Sequence, residues 1–267
     1  MAKKVKTTTT VTTVTEETLT NEKTHLICIL DRSGSMSSIM SDSIGGFNTF
    51  LKQQKELPDE ATITVVLFDD RYEMIYDNVD IKKAEELTDK VWFARGTTAL
   101  YDAIGKTINT EKGNFKKLGS EKPSKVLCCI VTDGHENASK EYNGDAIKKL
   151  IKSCEDESWS FIYLAANQIA SEIGNSFGIS VGNTYTYATN STGISNMSMT
   201  MNNASASYRS MSSMDGDFKK KSKNLIDLDL TNVNVSSTGS ANSVGFSGGA
   251  TTNSVTYTNP PSTNTAK

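Results

Sequence analysis

The sequence predicts an α/β fold, a Rossmann-like doubly wound and mostly parallel sheet with helices on both faces and one antiparallel edge strand. Apolar, β-branched segments of strand length lie at 24–31, 61–68, 126–132 and 159–166. Segments with helical spacing of apolar residues separate most of them, and strands alternating with helices favour a parallel sheet. One pair, 61–68 and 72–77, is joined by only three residues, which predicts an antiparallel hairpin at the sheet edge.

The other elements follow from periodicity and from turn residues between the apolar segments. They are expected in this order: a helix at 37–55, a short helix at 80–90, a helix from 98 to about 110, a polar loop to 125, a helix at 141–157, a short helix at 168–176, a strand at 184–188 and a helix at 193–211.

The two ends of the chain differ in composition from the middle. Residues 1–23 are rich in Thr and form either a disordered arm or an extra strand. Residues 24–212 are expected to fold alone as one domain. Residues 213–267 are rich in Ser, Thr, Asn and Gly, which predicts a flexible tail. Within it, alternation at 225–235 predicts a short strand that pairs either with this chain's own sheet edge or with the sheet of a partner.

Polar side chains follow the predicted strands where ligands would bind. Asp31 ends the first strand, Ser33 and Ser35 come directly after it, Asp133 follows the strand at 126–132, and Thr98 precedes a helix. Because the carboxyl ends of parallel strands meet at one edge of a sheet, these residues are expected to converge. Two carboxylates and three hydroxyls are oxygen ligands of the kind that Mg²⁺ or Mn²⁺ prefers.

Three segments resemble the von Willebrand factor type A domain in sequence and in order. They are Asp31-Arg32-Ser33-Gly34-Ser35, Thr98 ahead of Leu100-Tyr101-Asp102-Ala103-Ile104, and Thr132-Asp133-Gly134. The resemblance spans about 24–210 and implies a metal-ion-dependent adhesion site. There, Asp31, Ser33, Ser35, Thr98 and Asp133 would hold the ion, and an Asp or Glu of a partner protein would complete its coordination. Segments between 161 and 209 are similar to stand-alone bacterial and bacteriophage members.

These observations favour a metal-dependent adhesion or adaptor module over an enzyme. The chain has no phosphate-binding G-x-x-x-x-G-K-[ST] loop, and its only imidazoles are His25 and His135. Aspartyl-phosphate phosphatases carry a second Asp two residues after the first, whereas Ser33 occupies that position here. Asp69 and Asp70 fit a hairpin turn better than a ligand role. A Mg²⁺-dependent hydrolase is therefore the less favoured class. A structural component of a phage particle stays open, and the resemblance adds a separate ring ATPase as a partner.

Charge and cysteine usage restrict the expected partners and compartment. The formal net charge of −3 provides no basic face for nucleic acid. No apolar stretch has the length of a membrane span, and the first residues lack the apolar core of a secretory signal. The four cysteines have no metal-ligand spacing and are expected to be buried and reduced. We expect a cytoplasmic protein, in the host cytoplasm if it is phage-encoded, with the virion as the alternative.

Overall fold

The computed structural model describes residues 22–226, which form a six-stranded sheet flanked by helices. The strands are β1 (Thr24–Asp31), β2 (Ala61–Phe68), β3 (Tyr72–Asp80), β4 (Lys125–Thr132), β5 (Trp159–Ala166) and β6 (Thr184–Tyr187). The α-helices are α1 (Met40–Glu56), α2 (Leu100–Leu118), α3 (Gly144–Glu155), α4 (Ala170–Ser176), α5 (Ser191–Ser210) and α6 (Phe218–Lys221). Short 3₁₀ turns occur at Gly34–Ser38, Ile81–Lys83, Gly119–Glu121 and Val181–Asn183.

The sheet has the strand order β3-β2-β1-β4-β5-β6, and only the β2–β3 pair is antiparallel. All residues of β1, β2, β4 and β5 are buried. Successive side chains of a strand point to opposite faces. In β1, Leu26 and Leu30 accordingly pack on the side of α1 and α5, while Ile27 and Ile29 pack on the side of α2 and α3. The predicted fold class is confirmed.

Two expected elements differ from the structure. The helix expected at 80–90 is wrong beyond the single turn Ile81–Lys83. Asn48 accounts for this, because its side chain donates to the Leu87 carbonyl (2.9 Å) and accepts from the Leu87 amide (2.8 Å). The polar loop expected after 110 is also wrong, because α2 continues to Leu118. Phe115 is buried within this added part of the helix, and burial of its ring favours the longer helix.

Residues 213–226 pack against the domain whose end the sequence places at 212. Phe218, Leu225 and Ile226 are buried in the same core as α1 and α5. The side chain of Asn183 binds this segment at two points. Its Nδ2 donates to the Ser222 carbonyl and its Oδ1 accepts from the Leu225 backbone amide, both at 2.8 Å. Of the strand expected at 225–235, only the first two residues are described, and neither is in a strand. The remainder of that strand, and residues 1–21 of the arm expected at 1–23, lie outside the described residues.

The four cysteines lie in the core of the domain. Cys28, Cys128, Cys129 and Cys154 are all free and buried, as the sequence predicts. Among residues 22–226, no helix combines the length and the apolar character that crossing a membrane requires.

Candidate metal site

Asp31 lies at the carboxyl end of the central strand β1 and is completely buried. Its Oδ1 accepts a hydrogen bond from the Ser33 amide, and its Oδ2 accepts one from the Thr132 hydroxyl, both at 2.6 Å. The indole of Trp92 donates to the Asp31 carbonyl at 3.0 Å. Three hydrogen bonds, from the turn after β1, from β4 and from Trp92, therefore hold the side chain and the backbone of Asp31 in one orientation.

The turn after β1 brings two hydroxyls to the carboxylate that follows β4. Ser33 Oγ and Ser35 Oγ are 3.1 Å apart, and Ser35 Oγ donates to Asp133 Oδ1 at 2.5 Å. Adjacent oxygens around an octahedral Mg²⁺, with bonds of about 2.0–2.1 Å, are about 2.9 Å apart. The spacing of these three oxygens is therefore close to that of neighbouring ligands around a single small ion.

Thr98 joins the set from a third loop, and Gly134 marks the place where the hydroxyls converge. A Cβ atom built on Gly134 would lie 3.1 Å from Thr98 Oγ1, 3.3 Å from Ser35 Oγ and 3.7 Å from Ser33 Oγ. Thr98 is buried, and its backbone N–H donates to Asn137 Oδ1 at 2.9 Å. The absence of a side chain at Gly134 leaves the space between the three hydroxyls open.

The loops after β4 and β5 are tied together by residues that sequence reasoning missed. Asn167 Nδ2 donates to the Asp133 carbonyl at 3.1 Å, and Gln168 Nε2 donates to the Gly134 carbonyl at 3.3 Å. The hydroxyl of Tyr187, from β6, donates to the Thr132 carbonyl at 3.0 Å. No local pattern marks these residues as part of a site, because their role depends on the neighbouring positions of β4, β5 and β6 in the sheet.

The charges of the site favour a bound cation. Burial raises the pKa of Asp31 to about 6; hydrogen bonds from Thr132 and Ser33 oppose this rise, and the charge of Asp133 adds to it. Burial also raises the pKa of Asp133. Neither carboxyl is in an ion pair with a residue of the described range 22–226. Two buried carboxylates with no cationic side chain between them are an arrangement that a divalent cation would stabilise.

The donor set is rich in hydroxyls rather than in acidic or imidazole groups. Within residues 22–226, no three His, Cys, Asp or Glu side chains group together in a way that could hold a metal. His135 is exposed, and Glu136 receives the Tyr101 and Ser139 amides at 2.9 and 2.7 Å, which links the loop after β4 to the start of α2. The residues present therefore fit a hard cation bound by Asp31, Asp133 and three hydroxyls.

Comparison with known proteins identifies the fold. No family model and no curated protein sequence matches the chain. Among solved structures, the pilus adhesin SpaC from Lactobacillus rhamnosus GG matches 68% of this chain and 30% of its own, with 11% identity and a TM-score of 0.52. The manganese-loaded TRAP protein of Plasmodium vivax matches 66% of this chain and 72% of its own, with 15% identity and a TM-score of 0.50.

A von Willebrand factor type A structure from Catenulispora acidiphila also matches, over 68% of this chain and 42% of its own, at 14% identity and a TM-score of 0.48. The chain spans less than half the length of this protein and of SpaC. The chain has the von Willebrand factor type A fold, as its three motifs predict.

Proposed function

We propose that this chain is a divalent-metal-dependent protein-binding module. Asp31, Ser33, Ser35, Thr98 and Asp133 hold Mg²⁺ or Mn²⁺, and an Asp or Glu side chain of a separate partner protein completes the coordination. The observation that carries this proposal is the convergence of three hydroxyls around the bare Cα of Gly134, with the Asp133 carboxylate 2.5 Å from one of them.

The carboxylates and the hydroxyls of the site have different roles in binding the ion. Asp31 and Asp133 supply two negative charges, and the three hydroxyls supply oxygens without further charge. Four of the five residues are buried, whereas Ser35 is exposed, so the set opens to solvent on the side of Ser35. A bound ion with mostly neutral ligands and a free position on this side would accept an anionic oxygen from a partner.

The comparisons support the general class of this proposal. One structure with the same fold is described as a pilus adhesin, and another is described as manganese-loaded. Both descriptions agree with a role in metal-dependent binding. The chemistry of the site specifies the partner as a protein that presents a carboxylate. A separate ring ATPase and an assembly component are both partners of this kind.

The direct test is a pair of binding measurements on the wild-type chain and on Asp31→Ala. Calorimetric titration with Mg²⁺ and with Mn²⁺ is expected to show one site in the wild type and none in the variant. A pull-down from the native source, run in Mg²⁺ and in EDTA, is expected to capture a partner only with wild type and metal. A partner retained in EDTA and by Asp31→Ala would contradict the proposed mechanism.

We also propose that the module has no enzymatic activity of its own. The measurement is incubation of the Mg²⁺-loaded protein with chromogenic phosphate esters and with nucleotides. Turnover that Asp31→Ala abolishes would identify a hydrolase instead, while the expected result is no turnover in either protein.

A further inference from the structure

Asp69 is a buried carboxylate residue directly after β2, in the turn that the sequence assigns to a hairpin. Its Oδ1 accepts the Arg71 amide at 2.6 Å, which closes the turn. Its Oδ2 accepts from Arg95 Nε at 2.5 Å and faces Arg32 Nε at 3.3 Å. Its carbonyl accepts the Ala99 amide at 2.9 Å. A hairpin turn requires only the first of these contacts.

The other contacts of Asp69 reach both loops that carry candidate ligands. Arg32 lies between Asp31 and Ser33, and Ala99 follows Thr98. The same two loops are joined by backbone hydrogen bonds, from the Arg95 amide to the Arg32 carbonyl at 2.8 Å and from the Gly34 amide to the Gly96 carbonyl at 3.1 Å. Asp69 thus contacts both the turn after β1 and the loop before α2, without being one of the proposed metal ligands.

The charges at this junction depend on Asp69. Arg32 is almost completely buried, and a buried guanidinium needs a nearby carboxylate. Asp69 is buried and faces two arginines at once, whereas Glu73, which also contacts Arg32 Nη1 at 2.7 Å, is 52% exposed. Removing the charge of Asp69 would leave Arg32 with the exposed Glu73, and Arg95 with Glu73 and the nearby charge of Asp70.

We propose that Asp69 is a positioning residue of the metal site. Its carboxylate holds Arg32 and Arg95 together, and its carbonyl holds Ala99, so that the turn of Ser33 and Ser35 and the loop of Thr98 keep the separation that one ion requires. This inference rests on the proposed metal-binding function. Residues that orient metal ligands commonly change metal affinity by about 10–100-fold when they are replaced.

The test compares Asp69→Asn with Glu73→Gln, two isosteric losses of charge next to the same arginines. Asp69→Asn keeps an oxygen for the Arg71 amide and is expected to weaken Mn²⁺ binding, measured by calorimetry, by about 10–100-fold. Glu73→Gln is expected to weaken it by about fivefold or less, because its ion pair is exposed. Similar Mn²⁺ affinities for wild type and Asp69→Asn would overturn the inference.

A second readout needs no metal and separates positioning from general stability. In the metal-free protein, the Ala99 and Gly34 amides are expected to exchange hydrogen faster in Asp69→Asn than in Glu73→Gln, while amides in the centre of β4 exchange alike. Uniformly faster exchange throughout the domain would mean that Asp69 stabilises only the fold. If Asp69→Asn does not fold, Arg95→Gln replaces it: weaker Mn²⁺ binding supports the inference, and unchanged binding overturns it.

The outcomes for the wild-type protein keep the two proposals distinguishable. If the wild type binds Mn²⁺ and Asp69→Asn binds equally well, the inference about Asp69 is wrong and the proposed function stands. If the wild type binds no divalent ion, the proposed function is wrong, and the positioning role is overturned with it.

Discussion

Ser35 Oγ donates a 2.5 Å hydrogen bond to Asp133 Oδ1, although the two residues are 98 positions apart in the chain. The contact exists because β1 and β4 are adjacent parallel strands, so that the turns following them lie side by side. It brings the first and the third candidate motif within reach of one ion.

The two serines are expected to act as ligands rather than as helix-capping residues. Replacing Ser33 and Ser35 together by Ala removes two of the five proposed ligand oxygens of the ion. Calorimetry should show a loss of Mg²⁺ affinity of at least about tenfold, equivalent to about 1.4 kcal/mol.

Ser37→Ala is the matched control for this loss. Ser37 is exposed in the same 3₁₀ turn, and its hydroxyl donates to the Gly34 carbonyl at 2.6 Å instead of pointing to the other hydroxyls. Its replacement should leave Mg²⁺ affinity unchanged. Equal affinities for the double variant and Ser37→Ala would show that the hydroxyls of Ser33 and Ser35 do not coordinate the ion.

Gly134→Ala is expected to obstruct the site while the fold survives. The backbone at Gly134 does not have positive φ, so Ala is sterically allowed there, but the methyl group would lie 3.1 Å from Thr98 Oγ1 and 3.3 Å from Ser35 Oγ. We expect weaker Mg²⁺ binding, with thermal unfolding of the metal-free protein close to that of wild type.

A second glycine serves as the control for Gly134→Ala. Gly113 lies within α2, where an added Cβ meets nothing within 4 Å. Gly113→Ala should stabilise the protein by about 0.5–1 kcal/mol, as for other glycines in helices, and leave metal affinity unchanged. Undiminished Mg²⁺ binding in Gly134→Ala would mean that the ion does not occupy the space in front of this residue.

His25 is expected to make the protein less stable in mild acid. It is completely buried in β1 with Nδ1 2.7 Å from Thr62 Oγ1, and burial, with a smaller effect of the Lys23 charge, lowers its pKa to about 3. The unfolded chain binds a proton at His25 below about pH 6.5, whereas the folded chain does so only near pH 3, so stability falls as the pH drops from 6.5 towards 3.

The expected loss between pH 7 and pH 5 is about 2 kcal/mol from this one group, at about 1.4 kcal/mol per pH unit. Urea unfolding of wild type and of His25→Gln at both pH values measures it. Burial raises the pKa of Glu111, which acts in the opposite direction. Because Glu111 Oε2 lies 3.7 Å from His25 Nε2, the comparison is made with Glu111→Gln present in both proteins. Equal losses in the two proteins would show that His25 does not titrate on unfolding.

The segment 213–226 is expected to stabilise the domain. A chain that ends after residue 212 lacks Phe218, Leu225 and Ile226, and burial of such side chains contributes about 1.5–3 kcal/mol each. The free energy of unfolding of this chain should be on the order of 5 kcal/mol lower than that of a chain ending after 226. Equal urea midpoints and slopes for the two truncated chains would show that 24–212 is sufficient.

Several features of the fold follow from local sequence alone. β2 and β5 begin and end where the sequence predicts, because a stretch rich in β-branched, aromatic and other apolar residues, bounded by polar residues, is a local property. The absence of a helix at 84–90 could not be predicted from local sequence, because Leu87 forms hydrogen bonds with Asn48 and not with a helical neighbour. The length of α2 was missed for the same reason, because Phe115 is buried by elements distant in sequence.

The sequence by itself determined the α/β class and the oxygen-rich character of the candidate site, because periodicity and side-chain chemistry are local. Only the tertiary structure decided that Ser33, Ser35 and Thr98 surround Gly134, and that Asp69 connects their loops as well as closing a hairpin. The physical reason is that these contacts depend on which strands become neighbours, and strand pairing is settled by burial of the whole core and not by any one segment.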